Sequence, residues 1–584
     1  MGQSLSAASA EKAGNRDVWP PINFDVHEEF NEELQFISLH EPPRAGPTLT
    51  PPSTGSHVLE TTEDAAEHDQ PLDPHPLARP KDLSVQSYIL GDGIIDPFLA
   101  TPIPLDHVGK ELVANIFHAP NQRAHRDDWF AVGLGDQATF HQVLANSALY
   151  LYGLHHQGRG RGGKGRESKL AIMYHQLAVS SVRKRLAGLV RSDGQGGRRG
   201  GENEEGERQR TIEALIRCVS GMICMADIVA SAERWHMHRQ GLVQLIRLRK
   251  GGLHTLDAHL RPSVSWVELR GAYMHELPPH FPLPDTWLES FRADRRRALG
   301  REAYRAGNMA YTTQIRLAWS THFPRQPVDP PWLPILEDLV LLSPLADADF
   351  AASPPGSGLE DLRELPVWTN VLIHRLLSLQ THPPAARSSP AIHNPSNSNP
   401  TTQHIAHALS EASRLAMLLF LAPLWRAYGV RPTPTQTLLP KLHDLLHPNP
   451  QLWRVARSHP ALGKLLRWIL CVAALEAIGL AADEWRDDDD DDDGDGDGVD
   501  VNADADAVEK ECAMRDWFAQ TLFGVAALTG TALRDAGDVE GVMKATLWVR
   551  EIFDGRIRAL GRRLAKETTR VANGQLICAD FPEG

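Results

Sequence analysis

The sequence predicts an all-α fold, a multi-helix array behind a disordered N-terminal segment. Three observations carry this. Apolar residues recur every three to four positions through most of the chain from Phe140 on. Alternating β-branched runs bounded by turns are nearly absent. The 42 prolines and 45 glycines gather in a few stretches that separate the periodic segments.

Residues 1–85 carry no sustained periodicity, and nine prolines from Pro42 to Pro80 punctuate them. Such a segment buries too little apolar surface to order itself, so it is predicted to be disordered. From Ser87 the texture changes, and Pro97, Pro102 and Pro104 impose an extended lead-in. Phe140, Val143, Leu144, Leu149 and Leu151 then suit a buried helix. Leu170, Met173, Tyr174, Leu177, Val182, Leu186 and Leu189 recur at the spacing of one helix face. Ile212, Leu215, Ile216, Val219, Ile223 and Ala226 do the same. A further helix over Glu233–Lys250 stops at Gly251-Gly252, a pair suited to a C-terminal cap. Two Gly- and charge-rich insertions, Gly158–Gly165 and Gly194–Gly206, read as flexible surface loops.

Pro278–Pro284 breaks the chain. Helices follow over Trp332–Leu342 and Leu359–Leu379, then a Pro-, Ser- and Asn-rich linker over His382–Thr402. Four more are predicted over His404–Tyr428, Leu462–Trp485, Val508–Thr529 and Val539–Lys566. The last is basic toward its end, with Arg556, Arg558, Arg562, Arg563 and Lys566. The expected organisation is a disordered segment over 1–85, a first helical part over 86–276 and a helical continuation over 277–380. A linker over 381–402 and a C-terminal helical part over 403–584 follow, the latter containing an acidic low-complexity loop at 483–506.

Net charge is −14, but fourteen acidic residues and one Arg between Asp483 and Asp506 supply −13 of it. The rest of the chain is nearly neutral, so the charge describes one local tract and not a whole-molecule field. Five scattered cysteines make no disulfide framework, and Cys218, Cys224 and Cys471 sit in apolar helical patterns. The N-terminus has no apolar signal core. The longest apolar stretch, Leu465–Ala482, is short and interrupted by Arg467 and Glu476, so no membrane span is expected.

Several patterns resemble sites on paper. Gly158-x-x-x-x-Gly163-Lys164 begins like a phosphate loop, but no strand precedes it and Gly165 stands where a magnesium-binding hydroxyl belongs. Asp489, Asp491, Asp493, Gly494 and Asp500 fit a calcium-loop register, yet position 12 is Asp and position 8 is Gly496. A solvated acidic linker is the stronger reading. His443 and His447 share a helix face, but no third metal ligand is evident; His236 and His238 diverge. No nucleophile elbow occurs. Met1-Gly2-Gln3-Ser4-Leu5-Ser6 fits the permissive N-myristoylation template, with no basic cluster behind it. No catalytic, cofactor-binding, metal-binding or DNA-binding residue is therefore assigned.

A family resemblance enters between Ile89 and about Tyr273. Leu90-Gly91-Asp92-Gly93-Ile94-Ile95-Asp96-Pro97-Phe98 and Thr101-Pro102-Ile103-Pro104-Leu105 come first. Asp127-Asp128-Trp129-Phe130 and Asp136-Gln137-Ala138-Thr139-Phe140-His141-Gln142-Val143-Leu144 follow. Tyr174-His175, His238-Arg239-Gln240-Gly241-Leu242, Leu248-Arg249-Lys250-Gly251-Gly252-Leu253 and Trp266-Val267-Glu268-Leu269-Arg270 complete the order. Together they resemble the fungal-specific transcription factor domain of zinc-cluster regulators, in the version that includes sterol-sensing members. The resemblance implies a helical regulatory domain that self-associates and, in some members, holds a small apolar ligand. The family's DNA-binding cluster needs six compact cysteines, whereas this sequence has none before Cys218 and five in all. The expectation is a nuclear or nucleo-cytoplasmic regulator acting through other proteins, with homodimerisation and an apolar ligand compatible. Direct sequence-specific nucleic-acid binding, a membrane span and a cofactor are not expected. The competing readings are a small apolar-ligand sensor without transcriptional role and, ranked last, a helical enzyme of unknown reaction; the chain is expected not to be an enzyme.

Overall fold

The computed structural model describes residues 101–118, 130–153, 168–195, 202–229, 231–300, 302–327, 329–342, 365–379, 400–427, 434–447, 449–485, 501–528, 533–544 and 550–572. The chain divides into two units, Met1–Pro80 and Lys81–Gly584, and every described residue lies in the second. Among the described residues all regular structure is helical. The predicted all-α class is thus observed. The segment read as disordered, 1–85, lies outside the described residues, as do Gly158–Gly165 and the calcium-like register at 489–500.

The first helices are α1 (His107–His118), α2 (Gln137–Ala148), α3 (Lys169–Gln195) and α4 (Glu202–Ile228). A π-helical turn, Leu149–Gly153, extends α2. Next come α5 (Ala232–Leu248) and α6 (Leu260–Met274). Asp136 and Ser231 cap α2 and α5 by accepting the N–H of Thr139 and Arg234. Helix α5 ends at Leu248, and Gly251 and Gly252 then take φ of 81° and 59°. That left-handed geometry suits glycine and starts a 3₁₀ turn over Gly252–Thr255.

The chain continues through α7 (Asp285–Gly300), α8 (Glu302–His322), α9 (Leu333–Val340) and α10 (Leu365–Ser378). Then follow α11 (Pro400–Ala427), α12 (Thr435–Leu446), α13 (Pro450–Ser458) and α14 (Pro460–Trp485). Last are α15 (Val501–Leu528), α16 (Ala536–Lys544) and α17 (Arg550–Ala572).

Apolar burial forms three clusters. One joins α1 and α2 to the near ends of α3 and α4. A second lies among α3, α4, α5 and the first turns of α6. The largest spans α6 to α17. Helix α6 belongs to two of them: Leu260, Val264 and Val267 face the second cluster, and Leu269, Ala272 and Tyr273 the largest. Helices α11 and α14 are apolar nearly all round and run through the centre. Thr402–Arg426 of α11 is long and apolar enough to cross a bilayer, but 83% of its apolar window is buried inside the fold.

Three local expectations differ. Met173 and Leu177 are each 45% exposed, because the buried side of α3 runs through Ala171, Tyr174, Ala178 and Val182. The apolar spacing there was wider than the face its neighbours cover. The predicted helix over Val539–Lys566 is two helices, α16 and α17. The insertion at 194–206 is shorter than read, since α3 reaches Gln195 and α4 starts at Glu202.

Candidate functional site

The polar interior of the first helical part lies where α2, α3, α4 and α5 meet. Asp136 stands at the start of α2. Burial alone would raise its pKa, but Arg185 at 2.6 Å and the Thr139 N–H and hydroxyl at 3.0 Å outweigh it and hold the carboxyl below its usual range. Two turns on, Gln142 is fully buried. Its Nε2 donates to Asn146 Oδ1 at 2.9 Å, and Asn146 Nδ2 donates to the Gly221 carbonyl at 3.1 Å. A side chain at Gly221 would crowd the Gln142 stem, so glycine lets α4 approach α2 closely here. Gln142 Oε1 lies 2.8 Å from His175 Nδ1, which joins α3 to the network.

His175 and His238 form the outer part of this site. Burial pulls His175 down to about 4 and His238 down to about 3, and Arg234 adds to both shifts. His175 itself further disfavours a proton on His238. Both imidazoles are neutral at pH 7.

A second cluster sits at the far end of α4. Asp227 occupies the last turn of α4 and is 2% exposed. Neither of its carboxylate oxygens has a hydrogen-bond partner, and the nearest cation, Arg270 of α6, stands at 3.8 Å. Burial pushes the Asp227 carboxyl up to about 7, and Arg270 only partly opposes this. Arg270 is itself buried and lies over the Trp266 ring at 5.7 Å. Tyr150, in the π-helical turn, hydrogen-bonds Arg270, and burial raises its pKa. A carboxylate near a helix C-terminus also faces the negative end of the helix dipole. This group is therefore held where its charged form is poorly supported.

Other residues of the first helical part have structural roles. Arg239 of α5 bonds Glu268 of α6 at 2.7 Å, and the same carboxylate accepts the His280 N–H at 2.9 Å. Gly271 of α6 lies against the Trp235 indole, where any side chain would overlap the ring. Trp235 is fully buried as a result.

Of the residues weighed from sequence, His443 and His447 do share a face of α12. Their rings stack at 5.2 Å beside Trp517 of α15. Among the described residues no group of three or more His, Cys, Asp or Glu could hold a metal. His236 lies beside Trp235 and His275, apart from His238. Cys218, Cys224 and Cys471 are buried and form no disulfide; burial pushes the Cys218 thiol up strongly and that of Cys471 to about 12, so neither of these two is a poised thiolate. Residues Met1–Ser6 lie outside the described residues.

Sequence reasoning did not single out Asp227, Tyr150 or the His175–Gln142 contact. One signal existed: Asp227 is the single charged residue between Cys218 and Ala232. Its partner is 43 residues away, and no local pattern links the two. Residues 96–269 match the family model described as the fungal specific transcription factor domain. No curated protein and no solved structure matches the chain.

Proposed function

We propose that the protein regulates transcription in the nucleus through contacts with other proteins, because residues 96–269 match the family model of the fungal specific transcription factor domain. The observation that carries this reading is the match itself, which falls on helices α1 to α6. Within the matched range, Asp136, Phe140, Gln142, Arg239 and Glu268 cap, fill and cross-link that helical part. Five scattered cysteines offer no six-cysteine cluster within these 584 residues. Contact with DNA is accordingly assigned to partners.

The test is to tether the full chain to a reporter promoter through an unrelated DNA-binding module, and to image it in parallel. Reporter output that changes several-fold, with nuclear signal and chromatin-associated partners, is expected. Unchanged output with purely cytosolic protein overturns the proposal.

The second reading is a small-ligand sensor. The buried Asp227 carboxylate, which has no hydrogen bond and only a 3.8 Å ion pair with Arg270, favours it. Thermal shifts across a panel of small neutral molecules, abolished by Asp227→Asn, are the expected result for that reading. No shift with any compound counts against it.

A further inference from the structure

Helix α12 ends on two imidazoles. His443 and His447 lie four residues apart on its last turn, which the His447 N–H closes by donating to the His443 carbonyl at 2.8 Å. Their rings are nearly parallel, at 24°, with centroids 5.2 Å apart, and His447 is exposed. Trp517 of α15 packs against both, its ring centroid 4.5 Å from that of His443 and 5.7 Å from that of His447. The indole already limits the freedom of both side chains, so little rotamer entropy is left to lose when a ligand binds between them.

Three further features favour a cation there. Asp444 Oδ1 lies 3.1 Å from His443 Nδ1. A carboxylate oxygen accepts, so Nδ1 carries the hydrogen and Nε2 keeps its lone pair. An outer carboxylate orients metal-binding imidazoles in this way. Among the described residues, His443 Nε2 and both ring nitrogens of His447 have no hydrogen-bond partner. The pair also sits at the C-terminal end of α12, where the helix dipole favours positive charge.

Histidines four apart on a helix supply two nitrogens to many zinc sites. Two nitrogens held at about 2.0–2.1 Å from one ion lie roughly 3–3.5 Å apart. Side chains at this spacing start about 5–6 Å apart at Cβ, and rotation about their χ angles brings the rings to that distance. Among the described residues no third His, Cys, Asp or Glu completes a set, so water fills the remaining positions. Imidazole selects zinc, copper or nickel over magnesium and calcium, which prefer oxygen.

We propose that His443 and His447, oriented by Asp444 and Trp517, form a two-imidazole binding site for a divalent transition-metal ion such as Zn2+. Binding exchanges two of the ion's waters for His443 Nε2 and one ring nitrogen of His447, with no other bond changed. The site lies outside the matched residues 96–269 and is independent of the transcriptional reading.

The test is histidine footprinting of the full, untagged chain with diethyl pyrocarbonate, read residue by residue by mass spectrometry with and without Zn2+. Equimolar Zn2+ is expected to slow modification of His443 and His447 several-fold and to leave His107 and His254, both exposed, unchanged. His443→Gln should abolish the protection of His447. His447→Ala, at an exposed position that leaves the fold intact, should abolish that of His443. Asp444→Ala should raise the Zn2+ needed for half-protection, by up to about tenfold. Mg2+ in place of Zn2+ should protect neither histidine. Absence of Zn2+ protection, protection of His447 that survives His443→Gln, equal protection at His107 and His254, or equal protection by Mg2+ would each overturn the proposal.

Discussion

Burial moves Asp227 and His175 in opposite directions along the pH axis. Asp227 titrates at about 7 in the folded chain, against an ordinary value near 3.8. Between those values the folded state holds a proton the unfolded state has lost. The stability this contributes is complete below about pH 4 and is lost as pH rises toward 7. His175 titrates at about 4 against 6.5. Here the unfolded state holds the extra proton, so stability is retained above pH 6.5 and lost as pH falls toward 4. His238 follows His175 with a still lower value of about 3. Asp227→Asn should therefore make the protein lose more stability on going from pH 7 to pH 5, by roughly 2 kcal/mol relative to the parent. His175→Gln should make it lose less, by a similar amount. Denaturant unfolding at the two pH values measures both, and equal pH dependence in the two variants would remove the electrostatic account of this site.

At the scale of the helix, close approach decides what a position tolerates. Gly271→Ala drives a methyl group into the Trp235 indole at the α5–α6 contact. It should cost about 3 kcal/mol or more, because neither buried element has room to shift. Gly188 in α3 has nothing within 4 Å of a new side chain, so Gly188→Ala should stabilise by about 0.5–1 kcal/mol. Thermal denaturation of the pair checks whether tertiary contact or helix propensity governs these glycines. The same distinction explains what was legible in the sequence. Periodicity located α4, α11 and α14, where burial is wide and the apolar stripe is continuous. It overreached at α3, where Met173 and Leu177 share the helical spacing but not the covering neighbour. It also merged α16 with α17, because the apolar spacing continues across the break between Lys544 and Arg550. The Asp136 cap and the Gly251-Gly252 turn are local chemistry and could be read directly. The Asp227–Arg270 pair could not, since it depends on how α4 and α6 lie together.

For the whole molecule, the question is how the matched helical part is tied to the remainder. The connection is made at the end of α6. Tyr273 donates to the Leu418 carbonyl of α11 at 2.5 Å, and its ring meets Trp425 edge-on at 4.9 Å. Three residues later Glu276 adopts φ of 51°, a left-handed backbone unusual for a side-chain-bearing residue. Its buried carboxylate accepts from Arg414 of α11 and Lys441 of α12. Strained backbone persists only where surrounding contacts over-determine it, and here two cations from separate helices supply them. Helix α6 also contributes to both the second and the largest apolar cluster, so neither core can loosen without disturbing the other. The two helical parts should therefore open as one unit in native-state hydrogen exchange, with α4 and α14 reporting the same global free energy. Glu276→Gln combined with Tyr273→Phe removes the charge and the hydroxyl while keeping side-chain shape. Breaking one partner of a buried ion pair costs about 3–5 kcal/mol, and loss of the hydroxyl bond adds about 1 kcal/mol. If the junction carries the coupling, this cost appears mainly as earlier exchange in α4, while α14 in the larger core stays protected. Exchange that remains coincident in the double variant would locate the coupling in the shared apolar faces of α6 alone.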